Sequence, residues 1–234
     1  MLSEKCLYLV PVPIGENSTT DRQIPELFSA INHYIVEEIR TARRFIRSII
    51  PDKNINECTF LEFNEHNNNA NLPDVEKLFV KNKSIVLMSE AGIPCVADPG
   101  FQVVRLAHKL GWKVIPLSGP SSIFMALMTS GLYGQRFMFH GYLPVKKEER
   151  IRSLRDIEQR IIRDNATQIF MEAPYRNNAL FEDVLSFINP SFILSVSVNL
   201  NNPDEFIASK TIADWKKSKP DLHKKPAMFV LGKS

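Results

Sequence analysis

Glu65 and His66 are the pair best suited to moving a proton. They stand in Asn64-Glu65-His66-Asn67, directly after an apolar run at 58–63. A carboxylate or imidazole at a strand end can take the proton from an acceptor hydroxyl while a group transfers in line to its oxygen. The competing reading is a polar loop that caps the next segment. Glu38 and Arg40 follow the short apolar run 34–36, and they either orient a substrate or pair at a helix start. Four glycine- or proline-bearing loops, 11–15, 89–94, 118–121 and 172–176, also follow apolar runs. The most telling stretch is 84–100, SIVLMSEAGIPCVADPG. An ordinary strand-to-helix connection needs only a few residues. This one is longer, and Gly92, Pro94, Pro99 and Gly100 make it stiff and closely shaped. Ligands of open α/β sheets sit where strands end, so such loops suit a small molecule held against the main chain.

Other chemistries lack their signatures. There is no G-x-G-x-x-G and no G-x-x-x-x-G-K-[ST], which removes the dinucleotide and nucleoside-triphosphate fingerprints. His66 stands at i,i+4 from another ligand-type residue, Glu62, and that spacing alone does not make a metal site. Metal is therefore not expected. Cys6, Cys58 and Cys95 are far apart and odd in number, which reads as free thiols in a reducing, cytoplasmic compartment. Cys95 has no neighbour that would activate it and reads as packing.

The groups above need a scaffold, and the hydrophobic pattern supplies one. Strands are expected at 7–10, 34–36, 58–63, 85–88 and 112–117. Helices are expected at 24–31, with Thr20 or Asp21 as cap, and at 42–50, 75–80 and 101–110. Alternating strand and helix is the mark of a mainly parallel sheet with helices on its faces. Beyond the turn Ser118-Gly119-Pro120, strands are expected at 137–140, 168–171, 193–198, 205–209 and 228–231. Helices fall at 121–129, 148–162, 178–188 and 213–217. Two successive strands late in the chain imply a mixed sheet. The expected class is α/β, in two domains, 1–118 and 119–234.

Size and charge agree with a soluble enzyme-sized chain. The 234 residues are 44% hydrophobic and 24% charged, with a formal net charge of +3. That mild excess permits a nucleic-acid partner without requiring one. Arg40, Arg43, Arg44 and Arg47 share a helix face by their spacing, and such a face can track phosphates. A second basic run, from Lys146 to Arg163, is interleaved with Glu148, Glu149, Asp156 and Glu158 and reads as a solvated, salt-bridged helix. The apolar N-terminal run is short and broken by Pro11 and Pro13, so it reads as a strand and not as a leader or membrane span.

The block Leu7-Tyr8-Leu9-Val10-Pro11-Val12-Pro13-Ile14-Gly15 resembles the start of the tetrapyrrole-methylase-like S-adenosylmethionine (SAM) enzymes. Within them it is most similar to the branch that 2′-O-methylates a cytidine of small-subunit ribosomal RNA. The resemblance continues in order through 64–67, 89–94, 98–100, 119–121, 136–144 and 170–176, and more loosely to the end. It implies two α/β domains, a homodimer, and SAM in a cleft between the domains, held largely by backbone groups. The implied cofactor contacts are Pro13, Glu90, Ile93, Ser121, Ser122, Met171, Ala227 and Met228. SAM carries a sulfonium cation and an amino-acid tail, so carbonyl-rich loop ends and a nearby carboxylate suit it. Glu90 either answers that charge or caps its turn.

The chain departs from this branch mainly on the acceptor side. Glu38-Ile39-Arg40 stands where the branch has Asp-Thr-Arg, Asn64 where it has His, and Val198-Asn199-Leu200-Asn201 where it has Ala-Arg-Glu-Leu. The favoured acceptor is a ribose 2′-hydroxyl of ribosomal RNA. Two alternatives stand beside it: methylation of a tetrapyrrole or other small molecule, and a non-catalytic SAM-fold module that binds RNA or protein.

Overall fold

A computed structural model describes residues 5–233. The chain divides into two compact units, Met1–Ile14 with Ser18–Ser121, and Gly15–Asn17 with Ser122–Ser234. The first unit runs β1 (Cys6–Val10), α1 (Ile24–Ala30), β2 (His33–Val36), α2 (Ile39–Ile49), β3 (Thr59–Glu62), α3 (Asn68–Lys81), β4 (Ser84–Met88), α4 (Phe101–Lys109) and β5 (Lys113–Pro116). Its sheet has the order β3-β2-β4-β1-β5, and every pairing is parallel. Successive strand residues face opposite ways, and here both faces are apolar. Tyr8, Tyr34 and Val86 pack on one side with Phe28 and Phe45 from α1 and α2. Leu7, Ile35 and Ile85 pack on the other with Val75, Phe79 and Val103 from α3 and α4. Near-continuous apolar strands are what a parallel sheet covered on both faces requires.

The second unit runs α5 (Ser122–Ser130), β6 (Phe137–Tyr142), α6 (Lys147–Asp164), β7 (Thr167–Met171), α7 (Asn177–Phe187), β8 (Ile193–Val198), β9 (Phe206–Thr211), α8 (Ile212–Trp215) and β10 (Ala227–Gly232). Its sheet order is β6-β7-β10-β8-β9. β6 and β7 are parallel and the other pairs antiparallel, so the sheet is mixed, as expected. One core joins Leu154 and Ile157 of α6, Phe181 of α7 and Trp215 of α8 to Phe170, Val196 and Phe229 of the strands. Arg150, expected on a solvated helix face, is instead buried and donates to the buried Asp183 through Nε at 2.8 Å and Nη2 at 2.6 Å.

Several element limits shift for physical reasons. Helix α2 starts at Ile39, three residues before the expected start, because Glu38 caps it through hydrogen bonds from the Arg40 and Thr41 N–H groups. Helix α3 starts at Asn68, seven residues early, and runs through Pro73. Its first two turns are polar, so the apolar spacing that signals a helix begins only near Leu72 and Val75. Neither Thr20 nor Asp21 caps α1: Gln23 holds the cap position without a side-chain bond. Asp21 instead accepts the N–H of Gln23 at 2.9 Å and that of Ser118 at 3.0 Å.

Candidate functional site

Parallel pairing puts all five strand ends of the first unit on one edge. Val10 and Val36 both align with Met88, Val36 with Glu62, and Leu9 with Pro116. The loops that follow carry the candidates: Pro13 after β1, Glu37 to Arg40 after β2, Glu65 and His66 after β3, Glu90 and Ile93 after β4, and Ser121 after β5.

These loops are tied together through backbone groups. Val12 and Gly92 exchange both main-chain hydrogen bonds, at 2.9 and 2.8 Å. Gly92 has φ +76°, a conformation glycine adopts without the Cβ penalty. The Ser89 hydroxyl donates to the Gly92 carbonyl at 3.0 Å. Pro11 and Gly119 approach so closely that a Cβ on Gly119 would lie 2.3 Å from the Pro11 Cβ. The long loop after β4 is organised by Asp98, whose carboxylate accepts the N–H of Cys95 at 2.8 Å and of Gly100 at 2.7 Å. That clamp holds Cys95 and Ala97 at φ +72° and +64°, a region non-glycine residues rarely enter. Burial, with the Asp98 carboxylate beside it, pushes the Cys95 thiol up to about 12. It remains a protonated packing group at neutral pH.

The residues of the acidic loops separate by role. Glu38 is the cap of α2, so its carboxylate is engaged by backbone donors, which hold it below the usual carboxylate range. Arg40 is exposed in the first turn of α2, and Arg43, Arg44 and Arg47 are exposed along it; the Arg43 guanidinium lies 5.1 Å from the centre of the Phe60 ring. Glu65 and His66 are exposed in the turn before α3. The His66 N–H donates to the Asn64 side chain at 3.0 Å. Asn64 and Asn67 donate to Glu62, at 2.9 and 3.4 Å, so this carboxylate is already occupied.

Glu37 is the residue that sequence reasoning passed over in favour of its neighbour. It is half-buried at the end of β2, and its Oε2 accepts the Glu90 N–H at 2.8 Å. Burial raises its carboxyl above the usual range. The nearby carboxylates of Asp98, Glu90 and Glu65 push the same way, against the pull of the Glu90 N–H. The available signal was its place as the first residue past an apolar strand. An acid with a raised folded pKa stabilises the fold at low pH, and that contribution is lost as pH rises through the folded value. Glu37→Gln, which keeps an acceptor for the Glu90 N–H, should therefore be at least as stable as wild type at pH 7. Its relative advantage should shrink as pH falls toward the ordinary glutamate value of about 4.3. Urea unfolding across that range measures this, and an advantage that grows on acidification would refute it.

In the second unit, Met171 closes β7 and is the register partner of Met228 on β10, with Ala227 beside it. Ser122 opens α5, the helix that packs on β8 and β10. Glu172, one residue past Met171, has a fully buried side chain paired with Arg176 Nη2 at 2.5 Å, and its Oε2 has no hydrogen-bond partner among the described residues. The departures at Asn199 and Asn201 have a local cause: both take left-handed backbone, φ +50° and +62°, which asparagine tolerates. That turn receives the segment 15–17, through Asn17 N–H to the Asn201 carbonyl at 2.8 Å.

The carboxylates at 65, 90 and 98 act on Glu37 across this edge, and half-buried Ile93 supplies an apolar surface, a combination that suits a cationic cofactor.

No protein-family model matches the chain. Curated relatives match it over nearly its whole length. It is 29% identical over 228 residues to ribosomal RNA small subunit methyltransferase I of Vibrio cholerae, covering 96% of this chain and 76% of that one. It is 27% identical over 232 residues to the protein of that name from Escherichia coli O157:H7, covering 98% and 78%. The Mesorhizobium japonicum protein is 33% identical over 173 residues, 74% of this chain and 56% of that one. With two α/β units and relatives of this kind, the chain is a methyltransferase. More particularly, it is a relative of the proteins named ribosomal RNA small subunit methyltransferase I.

Proposed function

We propose that this chain transfers the methyl group of SAM to a ribose 2′-hydroxyl of small-subunit ribosomal RNA. The observation that carries the reading is the similarity, over 96–98% of the chain, to proteins named for that RNA. Bound SAM supplies an electrophilic methyl group on a sulfonium. In the first unit, Pro13, Glu90, Ile93 and Ser121 hold the cofactor, with Glu37 adding a carboxylate to the same edge. Ser122, Met171, Ala227 and Met228 enter the proposal from the second unit. Glu65 or His66 accepts the hydroxyl proton, and both are open to solvent, which lets the proton leave. Glu38 acts through α2, whose start it caps, while Arg40 and the arginines behind it meet phosphates. Alignment of two bound reactants lowers a barrier by an estimated ~7–11 kcal/mol, so a strongly activated base is not required. A cytoplasmic location and a two-copy assembly complete the proposal. No described helix is long and apolar enough to cross a membrane.

Labelled SAM, small ribosomal subunits from cells lacking the gene, and uroporphyrinogen as competing acceptor test the reading. Label should enter the RNA at a ribose and not the tetrapyrrole. Failure to bind SAM at all would overturn it. Full activity in both Glu65→Gln and His66→Ala would remove these residues as the base.

A further inference from the structure

The second unit carries a cationic cavity apart from every residue assigned above. It has a volume of about 320 Å³ and lies between the start of β6 and the end of α6, lined by Arg136, Phe137, Met138, Arg160, Asp164 and Gln168 among others. Ligand pockets span roughly 300–1,000 Å³, so this one accommodates a single nucleotide unit. Its charge is unbalanced. Asp164 is taken up by Arg163, through Nε and Nη2 at 2.7 Å each. Among the described residues Arg136 donates only to the Asp164 carbonyl, at 3.4 Å, and both Arg136 and Arg160 lend the Asp164 carboxylate their field without a salt bridge. Two guanidiniums therefore keep donors for an anion. Beside them Phe137 and Met138 are 38% and 42% exposed, and the Phe137 ring meets Phe124 edge to face with 5.9 Å between ring centres. β6 is an edge strand of its sheet, with no strand on its outer side among the described residues. The buried Gln168 closes the floor, with its amide spent on the Ala166 carbonyl at 2.8 Å and its oxygen on His140 at 2.7 Å.

We infer that this cavity docks an unpaired nucleotide of single-stranded RNA, with phosphate oxygens on Arg136 and Arg160 and the base against Phe137. Cations beside an exposed ring are the arrangement that binds single strands: guanidiniums follow the backbone, and a ring stacks on any base. The inference deepens the proposed function and rests on it for the identity of the nucleic acid.

The test is fluorescence anisotropy of the full chain with a short labelled single-stranded RNA, against an uncharged-backbone peptide nucleic acid of the same sequence. The Arg136→Ala/Arg160→Ala double variant should bind the RNA roughly tenfold more weakly. Its plot of log affinity against log salt should flatten by about 1.4, two contacts at about 0.7 each for single strands. Phe137→Ala should weaken binding without changing the slope. Arg152→Ala/Arg155→Ala, which removes the same charge from exposed positions elsewhere on α6, should leave both nearly unchanged. Thermal melting confirms that each variant is folded. The inference falls if the two double variants bind alike, if the peptide nucleic acid binds as well as the RNA, or if the cavity variant changes only the number of associated copies in sedimentation. Any of these, found while wild type still methylates ribosomal RNA, overturns the cavity alone. A wild-type chain that neither binds RNA nor methylates it overturns the proposed function as well.

Discussion

Asp98→Ala is expected to cost about 2–4 kcal/mol of stability and to abolish cofactor binding at measurable concentrations. The Asp98 carboxylate is the only described side chain that accepts the N–H groups of both Cys95 and Gly100. An unsatisfied buried donor costs about 1–3 kcal/mol. The clamp also maintains two non-glycine residues in left-handed backbone, at about 1–3 kcal/mol each, which the loop would release by rearranging. Relaxation recovers part of the sum, hence the intermediate figure. The rearranged loop would no longer present Glu90 and Ile93 from the end of β4. Asp98→Asn separates geometry from charge, since its amide oxygen keeps one acceptor. It should lose less stability than the alanine variant. Urea unfolding and calorimetry with SAM read both effects. Asp98→Ala with stability within about 0.5 kcal/mol of wild type would show that the loop does not depend on this carboxylate.

Gly119→Ala is expected to lower SAM affinity by roughly a hundredfold. A Cβ at 119 would meet Pro11 Cβ at 2.3 Å and Cγ at 2.6 Å. A proline ring has no rotamer that moves it aside, so the backbones of 11–13 and 119–121 must separate. Overpacking of this kind costs typically about 1–3 kcal/mol in stability. The larger effect falls on binding, because the displaced segments carry Pro13 and Ser121. Gly134→Ala is the matched control, with nothing within 4 Å of the added carbon. Equal SAM affinity in the two variants would sink the assignment of this edge as the cofactor site.

The alternation of strands and helices, the parallel character of the first sheet and the mixed character of the second were all legible in the sequence. Apolar runs such as 85–88 state their burial directly, because a strand covered on both faces has no polar phase. The start of α3 was not legible, since its first turns are polar and contain Pro73. The sequence reading starts α2 at 42, where its apolar spacing begins, and a helix start at Glu38 is only one of two readings of that residue, because a capping carboxylate and a substrate contact look alike in sequence. Arg150 was read with its charged neighbours, while the residue that buries it, Asp183, lies on another helix.

By itself the sequence placed the loops rich in glycine, proline and acids at strand ends, since these residues are local features of the chain. Tertiary structure decided which acid does what. Glu37 and Glu38 are adjacent and identical in type. Yet the chain turns into a helix between them, so Glu38 spends its oxygens on the helix start and Glu37 is left against Glu90 on the neighbouring loop. The same holds for Pro11 and Gly119, more than a hundred positions apart, whose contact exists only because β1 and β5 pair in parallel and end together. Propensity and hydrophobic period act within a few residues. The environment of a carboxylate is set by whatever the fold brings within a few ångströms of it, and that is a property of the pairing register.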